Sequence, residues 1–183
     1  MYPITGEALV EKGYLKRRVA CFACTIGCHR YTRIDEGPFA GTASGGPEYE
    51  TFGALGNGPE IIDTEAVIVA NEMCNRLGLD TISAGTVSQW VIESYERGVL
   101  TDEDTDGIKP KWGDLDSLLK IIEAMAYRKG NLGELLSGGL KEATKKVGKD
   151  SYKWALINAK GLEQSNVETR SAKAYALAFA VNP

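Results

Sequence analysis

Three closely spaced cysteines are the residues of this sequence best suited to chemistry. Cys21, Cys24 and Cys28 stand at C-x2-C-x3-C spacing, and a fourth cysteine, Cys74, lies far along the chain. Three thiols this close cannot all pair as disulfides, and the first residues lack the apolar stretch of a secretory signal, so we expect reduced thiols in the cytoplasm. A glycine-containing loop can fold several sulfurs toward one centre, which suits a soft metal. The spacing therefore predicts a metal site.

Two metal centres fit this spacing, a zinc ion and an iron–sulfur cluster. Zinc would need a fourth ligand, such as His29 or Cys74, and structural zinc sites usually divide their ligands into two separated pairs. A [4Fe–4S] cluster more commonly takes three ligands from one loop and a fourth from a distant cysteine. We therefore favour the iron–sulfur cluster over zinc, and unliganded buried thiols are the third alternative.

Length and composition limit the class of protein. The chain has 183 residues, a formal net charge of −4 and 43% apolar residues. A chain of its mass exposes roughly 8,600 Å² when folded and buries about 70% of its unfolded surface, which predicts one domain. No apolar stretch is long enough to span a membrane, and the mild acidity argues against nucleic-acid binding. His29 is the only histidine, so chemistry that needs several imidazoles is excluded.

The elements that must position the cysteines are predicted to be mostly helical. Helices are expected over 5–12, 47–56, 63–78, 83–97, 114–130 and 171–181, with two short ones around Gly138 and Gly139. Pro47 would be a first helical residue, and Asp63 and Gly78 would begin and end the helix between them. Residues 36–48 read as a glycine-rich loop, and residues 152–161 have some strand character.

Two of these helices have a clear apolar face. The first is formed by Val67, Ala70, Cys74 and Leu77. The helix over 114–130, capped by Asp114 or Asp116, is the most amphipathic in the chain. Its predicted face consists of Leu115, Leu118, Leu119, Ile122, Met125 and Ala126.

A series of strings along nearly the whole chain resembles one known family. In order they are R-x-x-CFACTIGCHRY, GGPEYETFGALG, ANEMCNRLGLDTIS, WVIESYERG, KGLEQS and SAKAYALAFAVNP. Their order and approximate spacing are similar to those of the tungsten- and molybdopterin-dependent aldehyde:ferredoxin oxidoreductases. The resemblance implies a mainly α, multihelical domain over residues 1–183. It also implies a much longer enzyme, with a β-rich pterin-binding domain before this one and a second helical domain after it.

The resemblance assigns the cysteine cluster. Cys21, Cys24 and Cys28 match three ligands of a [4Fe–4S] cluster, whose fourth ligand in the family lies downstream in a D-x-x-G-x-C motif that this sequence lacks. Cys74 is either a buried structural thiol, a tungsten ligand as in class II benzoyl-coenzyme A reductases, or a replacement fourth cluster ligand. The implied electron partner is ferredoxin or another electron-transfer subunit.

The resemblance also implies a tungsten or molybdenum bis-pterin cofactor. Asn75, Gly78, Leu79 and Asp80 match a D-x-x-G-L-D/C pterin-binding motif, with asparagine in place of its first aspartate. A carboxylate after a helix end can accept hydrogen bonds from pterin N–H groups, and Asn75 keeps an acceptor oxygen without the charge. The alternative is that Asn75 and Gly78 only end the helix.

Glu50 matches a glutamate near the tungsten in this family. A buried carboxylate there could relay a proton to or from the substrate. The alternative is a solvated helix face. Glu48 and Glu50 are two residues apart and cannot share one helical face, so at most one of them is expected to point inward.

A second motif of the family is altered in this sequence. Some members carry an iron site at a dimer interface, bound by E-x-x-H, but the matching residues here read Val69-Ala70-Asn71-Glu72. We therefore predict no such iron site and do not expect a homodimer to form through it.

The implied activity is oxidation of an aldehyde to a carboxylic acid with ferredoxin as acceptor. Its nearest alternative is the tungsten subunit of a class II benzoyl-coenzyme A reductase, acting on an acyl-coenzyme A substrate. A non-catalytic iron–sulfur or zinc binding module is the alternative from another class of protein. The isolated chain is expected to be inactive.

Overall fold

The computed structural model describes residues 4–181, and about half of the chain is helical. The elements are α1 (Gly6–Glu11), β1 (Leu15–Val19), β2 (His29–Arg33), β3 (Ala43–Gly45), α2 (Tyr49–Thr51), α3 (Thr64–Leu77), α4 (Thr81–Glu96), α5 (Leu115–Tyr127), α6 (Gly130–Leu136), α7 (Gly139–Val147) and α8 (Lys173–Val181). A π-helical segment, Phe52–Asn57, continues α2, and a 3-10 helix covers Ser151–Trp154. The multihelical fold is confirmed. Among these residues, every helix is too short or too polar to cross a membrane.

A small antiparallel sheet was not predicted. Its strands lie in the order β1-β2-β3, with Val19 opposite His29 and Tyr31 opposite Gly45. Residues 16–18 of β1 are exposed in succession, and β3 has only three residues. The alternation of buried and exposed residues that reveals a strand is therefore missing from the sequence.

Aspartate caps set the helix boundaries as predicted. The carboxylates of Asp63 and Asp114 accept from the N–H groups of Ala66 and Ser117, each at 3.2 Å. Gly78 ends α3 in the left-handed region, at φ +69°, where glycine has no steric penalty. The next helix, α4, begins two residues earlier than predicted because Asp80 is its N-cap.

The core has two parts, which meet at α5. The first lies between the sheet, the π-helical segment, α3 and α5, and its largest fully buried residues are Leu9, Ile34, Leu55, Val67, Ile68, Leu118 and Ile122. The second lies between α4, α5, α6 and α7, and includes Trp90, Val91, Ile92, Ile121, Leu132 and Leu140. Burial of this apolar surface, at about 25 cal/mol per Å², is the main stabilising contribution.

The predicted face of α5 is therefore only partly correct. Leu118 and Ile122 are fully buried in the first part of the core. Ile121 and Ala124, which were not predicted, are buried in the second part, whereas Ala126 is only half-buried. Because α5 lies between two clusters of apolar residues, it buries two faces, and a single stripe describes it poorly.

The helix predicted to begin at Pro47 begins later. The peptide bond between Gly46 and Pro47 is cis, and Glu48 is the N-cap of α2, which begins at Tyr49. The strand character of residues 152–161 is also limited, since it amounts to a single bridge between Ile157 and Glu163.

The final helix, α8, has no buried residue. The side chains of Tyr175 and Leu177 are 51% and 65% exposed although the helix is strongly apolar. The chain exposes 10,057 Å² in all, compared with the roughly 8,600 Å² expected for its mass. Its predicted end at Asn182 and Pro183 lies outside the described residues.

Candidate functional site

The three clustered cysteines lie in one loop, residues 20–28, which joins β1 to β2. Cys21 and Cys28 are exposed and Cys24 is half-buried. The N–H group of Cys24 donates to the carbonyl oxygen of Cys21 at 3.1 Å. At the base of the loop, Arg18 donates to the carbonyl oxygens of Ile26 and Gly27 at 3.3 and 3.2 Å. The loop is therefore anchored at its base, while its thiols remain accessible.

The three cysteines are not arranged as the ligands of a metal ion, although their thiols are of the kind that binds an iron–sulfur cluster. Between residues 4 and 181, no three His, Cys, Asp or Glu side chains are grouped as the ligands of one metal ion. The loop nevertheless presents thiols and no carboxylate, and thiolates are the ligands of iron–sulfur clusters. Three sulfurs and an exposed loop could hold a cluster whose fourth ligand comes from elsewhere.

Glu48 connects the end of the cysteine loop to the chain that carries Glu50. His29 Nδ1 lies 2.6 Å from one carboxylate oxygen of Glu48, and Arg30 Nη1 lies 3.4 Å from the other. Arg30 also donates to the carbonyl oxygen of Pro47 at 3.2 Å. The first two residues after Cys28 are thus joined directly to the segment before α2.

Glu50 lines a cleft of about 720 Å³. Arg30, Tyr49, Asn57 and Asn166 also line it. Of Glu48 and Glu50, only Glu50 lines this cleft. The π-helical segment that follows Glu50 also borders the cleft, and such segments are frequent at functional sites.

The residues predicted to bind pterin form the connection between α3 and α4. The N–H of Leu79 donates to the carbonyl oxygen of Cys74 at 2.9 Å, and Asp80 accepts from the N–H of Ser83 at 2.7 Å. Asp80 and Leu79 border a second cleft of about 330 Å³. Gly78 therefore ends one helix and Asp80 begins the next, and the Asp80 carboxylate is exposed although it caps α4.

Asn75, the other member of this motif, is tied to the sheet. Its side-chain amide donates to Ser44 Oγ at 2.8 Å and to the carbonyl oxygen of Gly45 at 3.0 Å. Gly45 ends β3 and directly precedes the Gly46-Pro47 bend. The structure therefore links the predicted pterin segment to the segment that carries Glu50.

Cys74 is fully buried in the first part of the core. Burial, and to a lesser degree the nearby carboxylate of Asp80, raises the pKa of its thiol to about 12. A metal ligand must be a thiolate, so this environment favours the buried structural thiol among the three alternatives.

Sequence reasoning missed several residues that build these sites. Arg30 belongs to the string R-x-x-CFACTIGCHRY, but it reaches the cleft only because strand β2 carries it there. The sequence of β2 shows no clear alternation of apolar and polar residues. Asn71 stands out only as part of the altered E-x-x-H motif, and Asn166 lies outside every string quoted above.

Glu163 accepts from the N–H of Leu140 at 2.8 Å, at the beginning of α7. The N-cap residue of α7 is Gly138, which has no side chain that could accept this hydrogen bond. A cap supplied from so far along the chain cannot be read from local spacing.

Comparison with known proteins agrees with the geometry. The family model described as aldehyde ferredoxin oxidoreductase, domains 2 and 3, matches residues 1–183. Tungsten-containing aldehyde ferredoxin oxidoreductases of Thermococcus kodakarensis and Pyrococcus furiosus are each 37% identical over 182 residues. These alignments cover 99% of this chain and 29% of each relative, so the chain spans less than a third of their length. The WOR-like subunit of an aliphatic sulfonate oxidoreductase of P. furiosus is 29% identical over 156 residues, which are 83% of this chain and 24% of that protein.

A solved structure shows the same fold. It is a chain of the active-site complex BamBC of benzoyl coenzyme A reductase, bound to 1,5-dienoyl-CoA. The superposition has a TM-score of 0.72 and 21% identity over 90% of this chain and 24% of that one. The matched family model and the tungsten-containing relatives decide the classification, and this chain belongs to the aldehyde ferredoxin oxidoreductase family.

Proposed function

We propose that this chain is the helical segment of a cytoplasmic tungsten enzyme that oxidises aldehydes to carboxylic acids and passes the electrons to ferredoxin. One observation carries the proposal. Strand β2 begins at His29, directly after the third cysteine, and its next residue, Arg30, lines the cleft that contains Glu50. This position of Arg30, two residues after Cys28, supports placing the cluster loop and the proposed proton-transfer group in one site.

Each group of residues would have its own role in this reaction. A bound tungsten (or molybdenum) bis-pterin would supply the two-electron oxidation, and a [4Fe–4S] cluster the route for single electrons. Cys21, Cys24 and Cys28 would hold the cluster through thiolates, and the segment Asn75–Asp80 would accept hydrogen bonds from the pterin. Oxidation of an aldehyde by water releases two protons with the two electrons. Two carboxylates line the cleft, Glu7 and Glu50, and we propose that Glu50 would accept one of these protons.

The chain is proposed to act only within a longer protein. It covers 29% of its tungsten-containing relatives, and it exposes the apolar surface of α8. We therefore propose that further domains complete the pterin cavity and supply the fourth cluster ligand.

A reductase acting on an acyl-coenzyme A is the second candidate, because the BamBC chain has the same fold. At 21% identity this likeness concerns the fold alone, whereas the tungsten-containing aldehyde oxidoreductases reach 37%. The higher identity favours aldehyde oxidation.

The test is cofactor content and turnover of the full-length protein, purified without oxygen. We expect tungsten, pterin and a four-iron cluster, with aldehyde-dependent reduction of ferredoxin. C24S should lose iron, and C74S, as the matched control, should retain it. E50Q should keep its cofactors and lose about a hundredfold or more in kcat, as expected for loss of a proton-transfer group, whereas E36Q on the exposed loop should not change. Zinc without iron or tungsten would refute the proposal, and turnover of benzoyl-coenzyme A without aldehyde oxidation would favour the second candidate.

A further inference from the structure

Two asparagines on α3 donate to the same two oxygen atoms of the sheet. Asn71 Nδ2 lies 3.1 Å from Ser44 Oγ and 2.9 Å from the carbonyl oxygen of Gly45. Asn75 Nδ2 lies 2.8 and 3.0 Å from the same atoms. The two residues are four apart and so lie on one face of the helix. Ser44 Oγ also donates to the Gly45 carbonyl at 3.1 Å, which closes the network.

The direction of these hydrogen bonds is fixed by chemistry. A backbone carbonyl oxygen can only accept, so the atom of each side chain that faces Gly45 must be the amide nitrogen. An aspartate at position 75 would place a carboxylate oxygen there and could not donate. These hydrogen bonds thus require the side-chain N–H donor that Asn75 has and that the aspartate of the family motif lacks.

The network holds the bend that leads to Glu50. Gly46 has φ +88°, and a Cβ atom there would lie 3.0 Å from Asn71 Oδ1. From the other side, Thr32 Oγ1 donates to the carbonyl oxygen of Gly46 at 2.8 Å. Asn71 is only 3% exposed, so the bend is fixed between a buried side chain of α3 and strand β2.

We propose that Asn71 and Asn75 are positioning residues, which fix the 44–46 bend and thereby set the place of Glu50 in its cleft. The inference rests on the proposed role of Glu50. It gives Asn75 two tasks, because its Nδ2 holds the bend while its Oδ1 would be one of the oxygens that could accept from the pterin. The cofactor segment and the proton-transfer group are coupled through this single side chain.

The test uses N75D in the full-length protein, because aspartate keeps the acceptor and removes the donor. We expect kcat to fall by about tenfold or more, since small displacements of a reacting group are costly, while KM and the tungsten, iron and pterin contents stay near wild type. N131D is the matched control. Asn131 also donates its amide to a backbone carbonyl, that of Glu103 at 3.0 Å, and its side chain does not line the Glu50 cleft. N75D and N131D should lower Tm by similar amounts, whereas N131D should leave kcat unchanged.

Three outcomes would overturn the inference. N75D could turn over as fast as wild type, or N131D could lose as much kcat, or N75D could lose its pterin.

If the wild-type protein holds no tungsten or pterin, the proposed function fails instead, and hydrogen exchange still tests the bend. The N–H of Gly46 donates to the carbonyl oxygen of Arg30 at 2.8 Å. Its exchange should be faster in N75D than in wild type, and unchanged exchange would contradict the role of Asn75.

Discussion

The close packing of α4 on the π-helical segment predicts that G85A is strongly destabilising. A Cβ atom on Gly85 would lie 2.3 Å from the carbonyl oxygen of Ala54 and 2.5 Å from its carbon. To reach ordinary contact at 3.4 Å, the two backbones would have to separate by about 1.1 Å, the difference between those distances. Neither atom belongs to a side chain that could rotate away, so the two elements themselves must move.

The cost follows from three contributions. Overpacking of a buried contact costs up to about 3 kcal/mol. The hydrogen bond from Gln89 Nε2 to Ala54 O, now 3.2 Å long, would be strained and contributes about 1 kcal/mol. The better helix propensity of alanine returns about 1 kcal/mol. We therefore expect a loss of about 3 kcal/mol in the free energy of unfolding.

Urea unfolding of the 183-residue chain, followed by far-UV circular dichroism, measures this loss. The midpoint for G85A should fall by about 1–2 M. The control is G6A, where the new Cβ would meet only the end of the flexible Arg30 side chain, at 3.5 Å. A midpoint for G85A equal to that of wild type or G6A would refute the close packing of α4 on the π-helical segment.

Two further predictions concern Cys74 and Asp80. Burial raises the pKa of Cys74 from 9.0 to about 12. Above about pH 9 the folded state therefore keeps a proton that the unfolded chain releases. The contribution of this thiol to the free energy of unfolding is fully present below about pH 9 and falls by up to about 1.4 kcal/mol per pH unit above it. Urea unfolding between pH 8 and 10 should show a shallower decline for C74A than for wild type, and equal slopes would contradict the buried thiol. Asn caps helices as well as Asp, so D80N should unfold within a few tenths of a kcal/mol of wild type while the full-length variant retains less pterin. Unchanged pterin content would limit Asp80 to its capping role.

Several features of the protein could be predicted from the sequence because they depend on neighbouring residues. Asp63, Asp114 and Gly78 act on N–H and C=O groups within one turn of themselves, so their spacing was sufficient to place the helix ends. The buried face of α3, including Val67 and Cys74, follows from helical periodicity. The family, too, was recognisable from the order of its strings alone.

Other features depend on parts of the chain that are distant in sequence, and only the tertiary structure decided them. Strand β1 lacks alternation, and α5 buries two faces because two clusters of apolar residues pack against it. Glu50 and Glu48 have similar local sequence, yet Glu50 lines the cleft while His29 and Arg30 hold Glu48.

The role of Asn75 shows the physical reason most clearly. The sequence determined that it stands near the end of α3, and its place in a pterin-binding motif is a prediction from the family resemblance. Its amide nitrogen meets Ser44 and Gly45, which lie 31 and 30 residues away along the chain. A hydrogen bond needs its partners within a fraction of an ångström and in the right direction. Only the packing of α3 against the sheet could bring those atoms together.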